Sequence, residues 1–140
     1  MPSILRDIFG LLARLVIGVV LIAHGYQKLF ENGMDAAGQS FAQMGVPAAG
    51  IAVWIAALIE LIGGILMILG LFQTVVGVLI VINMLGAFFI VHISNGVFVT
   101  NNGFELVLTI AALALMIATF GSGRIALDSV FGKNKAAARA

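Results

Sequence analysis

The sequence predicts an all-α integral membrane protein, a four-helix bundle with both termini in the cytoplasm. Three observations carry that reading. The chain of 140 residues is 62% hydrophobic and only 9% charged, with a mean hydropathy of +1.20, whereas a soluble domain carries about 25% charged residues. Four apolar runs, at about 8–29, 51–71, 75–93 and 104–120, approach the length that crosses a bilayer, and a short polar tail follows at 121–140. Finally, Arg6 precedes the first run and Arg124, Lys133, Lys135 and Arg139 follow the last, while the first long loop carries Glu31 and Asp35. The positive-inside rule then puts both ends in the cytoplasm, with Lys28 as a single counter-vote.

The first run resembles a secretory signal only superficially. A signal core is about 7–15 residues long and ends at a small-residue cleavage site. Here the run continues past Arg14 into His24-Gly25-Tyr26-Gln27-Lys28, so a retained helix is expected. The next segment, Glu31 to Gly50, has the turn residues Asn32-Gly33, Gly45 and Pro47. Within it Met34, Ala37, Phe41 and Met44 recur at three- and four-residue steps. That spacing fits a short amphipathic helix at the membrane surface, or a loop that tucks one Phe against the bundle. Leu71 to Thr74 allows only a tight connection between the second and third spans. The second loop, Ser94 to Gly103, is polar and turn-rich, and the tail, which closes on a basic stretch, is expected to be disordered at its end. The whole chain makes one transmembrane domain.

Composition also excludes functions. With no cysteine the chain forms no disulfide or iron–sulfur cluster and performs no thiol chemistry. A net charge of +1 without a dense basic patch gives nucleic acid nothing to bind. Phosphate-binding glycine loops and nucleophile elbows are absent.

What remains is a set of ionisable residues inside apolar runs. Arg14, Gly18, Leu21, Gly25 and Lys28 share one face of the first helix, and His24 borders it. Charges in a span usually face the protein interior, so the other helices are expected to close over this stripe. At ~1.5 Å of rise per residue, His24, Lys28, His92 and Glu105 fall in one layer near the outer end. These four are the candidate ligand-binding residues, and Lys28 is expected to pair with Glu105. Glu60 is expected ~10 Å deeper and Arg14 in the cytoplasmic half, both as candidates for buried charge pairing or proton relay. Each has a plainer reading. Lys28 can snorkel to the headgroups, Glu105 can serve a helix N-terminus, the histidines can be bonded core residues, and Glu60 can sit in a structural ion pair. Two histidines with a carboxylate resemble a metal set, but the E-x-x-H pairing of helix-bundle sites is missing, so no metal is expected. Asn83 lies nine residues before His92, about half a turn away on a regular helix, and is expected to point outward. Together with Gly63, Gly64, Gly70, Gly77 and Gly86, that predicts a homodimer or a hetero-complex.

In order and spacing the chain resembles the DoxX family of small four-helix bacterial membrane proteins. The resemblance runs through Arg14, His24-Gly25 and Lys28, then Met44-Gly45-Val46-Pro47, Glu60, Gly63-Gly64 and Gly70. It continues through His92, Asn95-Gly96, Phe98, Gly103 and Glu105 to Gly121-Ser122-Gly123-Arg124 and Leu127-Asp128. The family commonly has a proline in place of Ser122. The resemblance implies a multi-pass protein of the bacterial inner membrane and a role as a subunit of quinone-linked oxidoreductases. On it rests the expectation of a redox-associated subunit that binds a quinone or similar lipid-soluble molecule, with a redox partner. The alternative is a non-enzymatic bundle, either an anchor for a partner or a small transporter.

Overall fold

The computed structural model describes residues 1–137, so the expected disorder at the very end of the tail lies outside the described residues. Every regular element among the described residues is helical, with no strand. The helices are α1 (Ser3–Tyr26), α2 (Met34–Gln43), α3 (Ala49–Leu69), α4 (Gln73–Ala87), α5 (Glu105–Phe120) and α6 (Leu127–Ala137). Both α1 and α4 run on into a wide π turn, Gln27–Glu31 and Phe88–His92 respectively. With these extensions, three segments are long and apolar enough to cross a membrane: Ser3–Glu31, Ala49–Leu69 and Gln73–Asn95. Apolar α5 is shorter, at 16 residues.

The segment expected at the membrane surface is a helix, α2, which buries Ala37 and lies against α3. Gly33 at φ 77° and Gly45 at φ 80° bracket it, in backbone conformations that favour glycine.

Antiparallel α1 and α3 pack closely, and α4 lies along α5. The first contact depends on absent side chains. A Cβ on Gly18 would lie 2.8 Å from the Gly64 carbonyl oxygen, and one on Gly25 would lie 2.6 Å from the Leu61 nitrogen. Gly77 plays the same part on α4, where a Cβ would come within 2.9 Å of the Ala114 oxygen. Small residues let backbones approach where lipid gives no hydrophobic drive. Of the five glycines expected to mediate assembly, Gly64 and Gly77 are thus occupied within the chain. Gly70 ends α3 at φ 71°, and Gly63 makes ordinary contact with Ile80 at 3.6 Å. Only Gly86 of the five faces open space.

The core joins Ile17 and Leu21 of α1, Met67 of α3, Val76, Ile80 and Met84 of α4, and Ile110, Ala114 and Ile117 of α5. Large apolar side chains such as Val16, Ile62, Ile82 and Met116 are exposed, as a lipid-facing surface requires.

The polar tail holds an unexpected piece of structure. Residues 121–128 fold back across the end of the bundle that carries the N-terminus. The Asp128 carboxylate accepts hydrogen bonds from the backbone nitrogens of Phe72 (2.8 Å) and Gln73 (2.9 Å), and the Asp128 nitrogen donates to the Gly70 oxygen at 2.9 Å. An acid from the tail therefore caps α4, where orphan N–H groups and the helix dipole favour a negative charge. Gly70 itself closes α3 in a Schellman arrangement, with Gly70 N bonded to Met67 O and Leu71 N to Leu66 O.

Candidate functional site

The expected stripe on α1 is buried. Arg14, Ile17, Gly18, Leu21 and Gly25 all lie inside the bundle. Its two cations, however, serve opposite ends.

Lys28 Nζ donates to Glu60 Oε2 at 2.5 Å and, at 3.4 Å, to the His24 carbonyl oxygen. The Lys28 side chain is 19% exposed and that of Glu60 7%. The pairing departs from the expected Lys28–Glu105 contact, and the reason lies in side-chain direction. Helical side chains lean toward their own N-terminus. On α1 that lean carries Lys28 deeper into the bundle, while on antiparallel α3 it carries Glu60 toward the loops. The two meet between the depths that backbone rise alone assigns them. Gly25, pressed against the Leu61 backbone, brings the helices close enough for the meeting.

Glu105 leans the other way. As the first residue of α5 it turns up into the loop, where Oε1 accepts a hydrogen bond from Val99 N at 2.8 Å. It does not line the cavity described below. Its role at a helix start is the plainer of the two readings given for it. Gly103 holds the same loop tight, since a Cβ there would lie 2.6 Å from the Phe98 oxygen.

Arg14 and Glu60 do not pair either. The Arg14 guanidinium is buried at the terminal end of the bundle, where Nη2 donates to the Ile125 carbonyl oxygen of the folded-back segment. Its Nε and Nη1 have no hydrogen-bond partner among the described residues. Arg14 therefore anchors the 121–128 segment.

Above the Lys28–Glu60 pair lies a cavity of about 680 Å³. Its polar lining comes from His24, Gln27, Lys28, Glu60, Asn83, His92 and Asn102; Phe41 and Met44 flank it, and Ile55, Ile59, Leu106 and Ile110 supply apolar wall. Three of the four candidate ligand-binding residues, His24, Lys28 and His92, thus share one space, with Glu60 in place of Glu105.

Asn83 faces this cavity together with His92, which corrects the expectation that it points outward. The π turn at Phe88–His92 is the cause. A regular helix separates residues nine apart by about 180°. A π turn takes up one extra residue, which reduces the separation to about 80°.

The His92 ring is oriented by the loop. Its Nδ1 lies 2.7 Å from the Asn102 carbonyl oxygen, which also accepts from Asn95 Nδ2 at 3.2 Å. A carbonyl only accepts, so Nδ1 carries a proton, and in the matching neutral tautomer the lone pair is on Nε2. Asn102 sits at φ 59°, a left-handed conformation that asparagine tolerates. The sequence put Asn102 in the polar loop above the candidate layer and Asn83 on the wrong face, and gave no sign of Gln27 as a lining residue. The Asn101-Asn102-Gly103 turn signal was visible, but not which carbonyl it would offer.

The fold and site together define a small, apolar, helical membrane protein with a largely buried ion pair beside a ligand-sized cavity. The chain belongs to the DoxX family, whose profile matches residues 9–93. It is similar to a Bacillus subtilis protein named "Putative oxidoreductase CatD", with 33% identity covering 92% of this chain and 91% of that one. A Haemophilus influenzae protein of uncharacterized function is 34% identical over 91% of this chain and 94% of its own. The Escherichia coli inner membrane protein YphA is 30% identical over 88% of this chain and 90% of its own. No solved structure matches.

Proposed function

We propose that this protein is a redox-associated subunit of the bacterial cytoplasmic membrane that binds a quinone or a similar small lipid-soluble molecule in the Lys28–Glu60 cavity. The topology proposed with it is four spans, α5 being the fourth, with both termini in the cytoplasm. One observation carries the reading: a charged pair at the base of an otherwise largely apolar cavity whose volume falls in the usual range for small-molecule sites, about 300–1,000 Å³. A purely structural ion pair needs no such space beside it.

The chemistry of the lining suits a ring that carries oxygens. The Lys28 ammonium has three N–H donors and uses two of them on Glu60 and the His24 carbonyl, so a third is free for a ligand carbonyl. His92 Nε2 offers the complementary acceptor for a ligand hydroxyl. A bound quinone would supply the redox step itself, taking up electrons and protons. The chain's own groups would orient the ring and hand protons on, with Glu60 and His92 as the exchanging pair. A cysteine-free chain has no thiol or iron–sulfur carrier of its own, and a partner in a complex is the proposed source of electrons. The relative named as an oxidoreductase agrees with this reading.

The test is thermal unfolding of detergent-purified protein titrated with ubiquinone-1. Saturable stabilisation is expected, about 2.7 kcal/mol at a hundredfold excess over the dissociation constant. Its loss in His92→Gln is the second expected result. No saturable response would overturn the proposal and leave the anchor or transporter reading.

A further inference from the structure

At the opposite end of the molecule a second cleft, of about 650 Å³, opens between α1 and α5. These helices lean mainly on α3 and α4 respectively and touch each other much less. Along α1 the cleft is lined by Arg6, Gly10 and Ala13, one face at four- and three-residue steps. A Cβ placed on Gly10 would meet nothing within 4 Å, so the space beside it is real. Along α5 the wall is apolar, ending in Met116 and Phe120, both exposed.

The mouth of the cleft is built rather than incidental. Asp7 is 4% exposed, and its carboxylate accepts hydrogen bonds from Arg124 N (3.1 Å) and Arg124 Nε (2.7 Å). Arg124 Nη2 donates to Ser3 Oγ at 2.9 Å. A buried acid thus holds one guanidinium at the rim, with much of its side chain still open to solvent. Arg6 stands beside it with no ion-pair partner among the described residues. Two guanidinium charges against one carboxylate leave a single positive charge at the point where an apolar wall meets the start of the first span.

We propose that this cleft is a binding site for an anionic phospholipid, one acyl chain lying along Gly10, Ala13 and the α5 wall and the phosphodiester resting against Arg6 and Arg124. A phosphodiester with a neutral headgroup matches the local charge, whereas a zwitterionic choline headgroup brings a second cation to the same rim. Basic pockets between spans are suited to anionic headgroups by the same electrostatics. The site is independent of the quinone cavity, which lies at the other end of the bundle.

Native mass spectrometry of the purified protein, incubated in parallel with dioleoylphosphatidylglycerol and dioleoylphosphatidylcholine, tests it. The wild type should retain phosphatidylglycerol in preference. Arg6→Gln, which touches no described hydrogen bond, should lower that preference about five-fold, the weight of one basic residue near a charged headgroup. Gly10→Leu fills the cleft without touching the ion pair and should abolish retention of both lipids, while its melting temperature reports that the bundle is intact. Equal retention of the two lipids by the wild type, or an unchanged preference in Arg6→Gln, would overturn the proposal.

Discussion

Removing one partner of the Lys28–Glu60 pair leaves a charge in a place built for two. In Lys28→Met the Glu60 carboxylate, 7% exposed, loses its ion-pair partner, and no second one is found among the described residues. Breaking a buried pair in this way typically costs about 3–5 kcal/mol. One feature of the site holds the loss near the lower end: Lys28 is 19% exposed, so part of its charge is already hydrated. The expected loss is therefore about 3 kcal/mol. In Lys28→Met/Glu60→Gln no charge remains, and the double variant should recover about 2 kcal/mol of the summed single losses. The assay is a double-mutant cycle on reversible unfolding in mixed micelles, read by circular dichroism. A parallel cycle of Lys28→Met with Glu105→Gln is the control. Glu105 bonds only to the loop, and a glutamine oxygen can still accept from Val99 N, so these two changes should add. Additivity between Lys28 and Glu60, or coupling between Lys28 and Glu105, would refute the geometry of the site.

Three further outcomes follow from the packing and the topology. Gly25→Ala drives a methyl group into the Leu61 backbone and should destabilise by about 1–3 kcal/mol, with loss of the Lys28–Glu60 coupling in the same cycle; wild-type coupling in that background would contradict the link between close approach and the pair. Asp128→Ala removes the cap from α4 and should cost about 1–2 kcal/mol, with Asp128→Asn intermediate, in the same unfolding assay. For the proposed topology, reporter fusions at the C-terminus and within α2 should report opposite sides of the membrane, and same-side signals would remove it.

Much of this architecture is written in hydropathy. The three helices long and apolar enough to cross a membrane overlap three of the apolar runs, because a strongly apolar segment has few alternatives to a membrane helix. The buried stripe of Arg14, Gly18, Leu21 and Gly25 was legible from helical spacing for the same reason. Side-chain reach was harder to read. Placing residues by backbone rise alone put Glu60 below Lys28 and Glu105 beside it, and the N-terminal lean of helical side chains reverses both assignments. The π turn after Ala87 has no sequence signal in a run of Phe, Ile and Val, yet it decides that Asn83 faces the cavity. The 121–128 segment reads as a polar tail because its partners, Asp7, Arg14 and the start of α4, are distant in sequence. Only the fold shows that Arg124 and Asp128 are tethers.

Photolabelling measures whether a quinone-like molecule occupies the space above Lys28 and Glu60. Protein in native membranes would be irradiated with an azido-ubiquinone and the labelled peptides mapped by mass spectrometry. Label is expected on the cavity-facing residues of α1, α3 and α4, near Lys28, Glu60 and His92, removed by excess ubiquinone-1 and reduced in His92→Gln. Label spread over the exposed outer faces of the helices, unaffected by competitor, would contradict that occupancy.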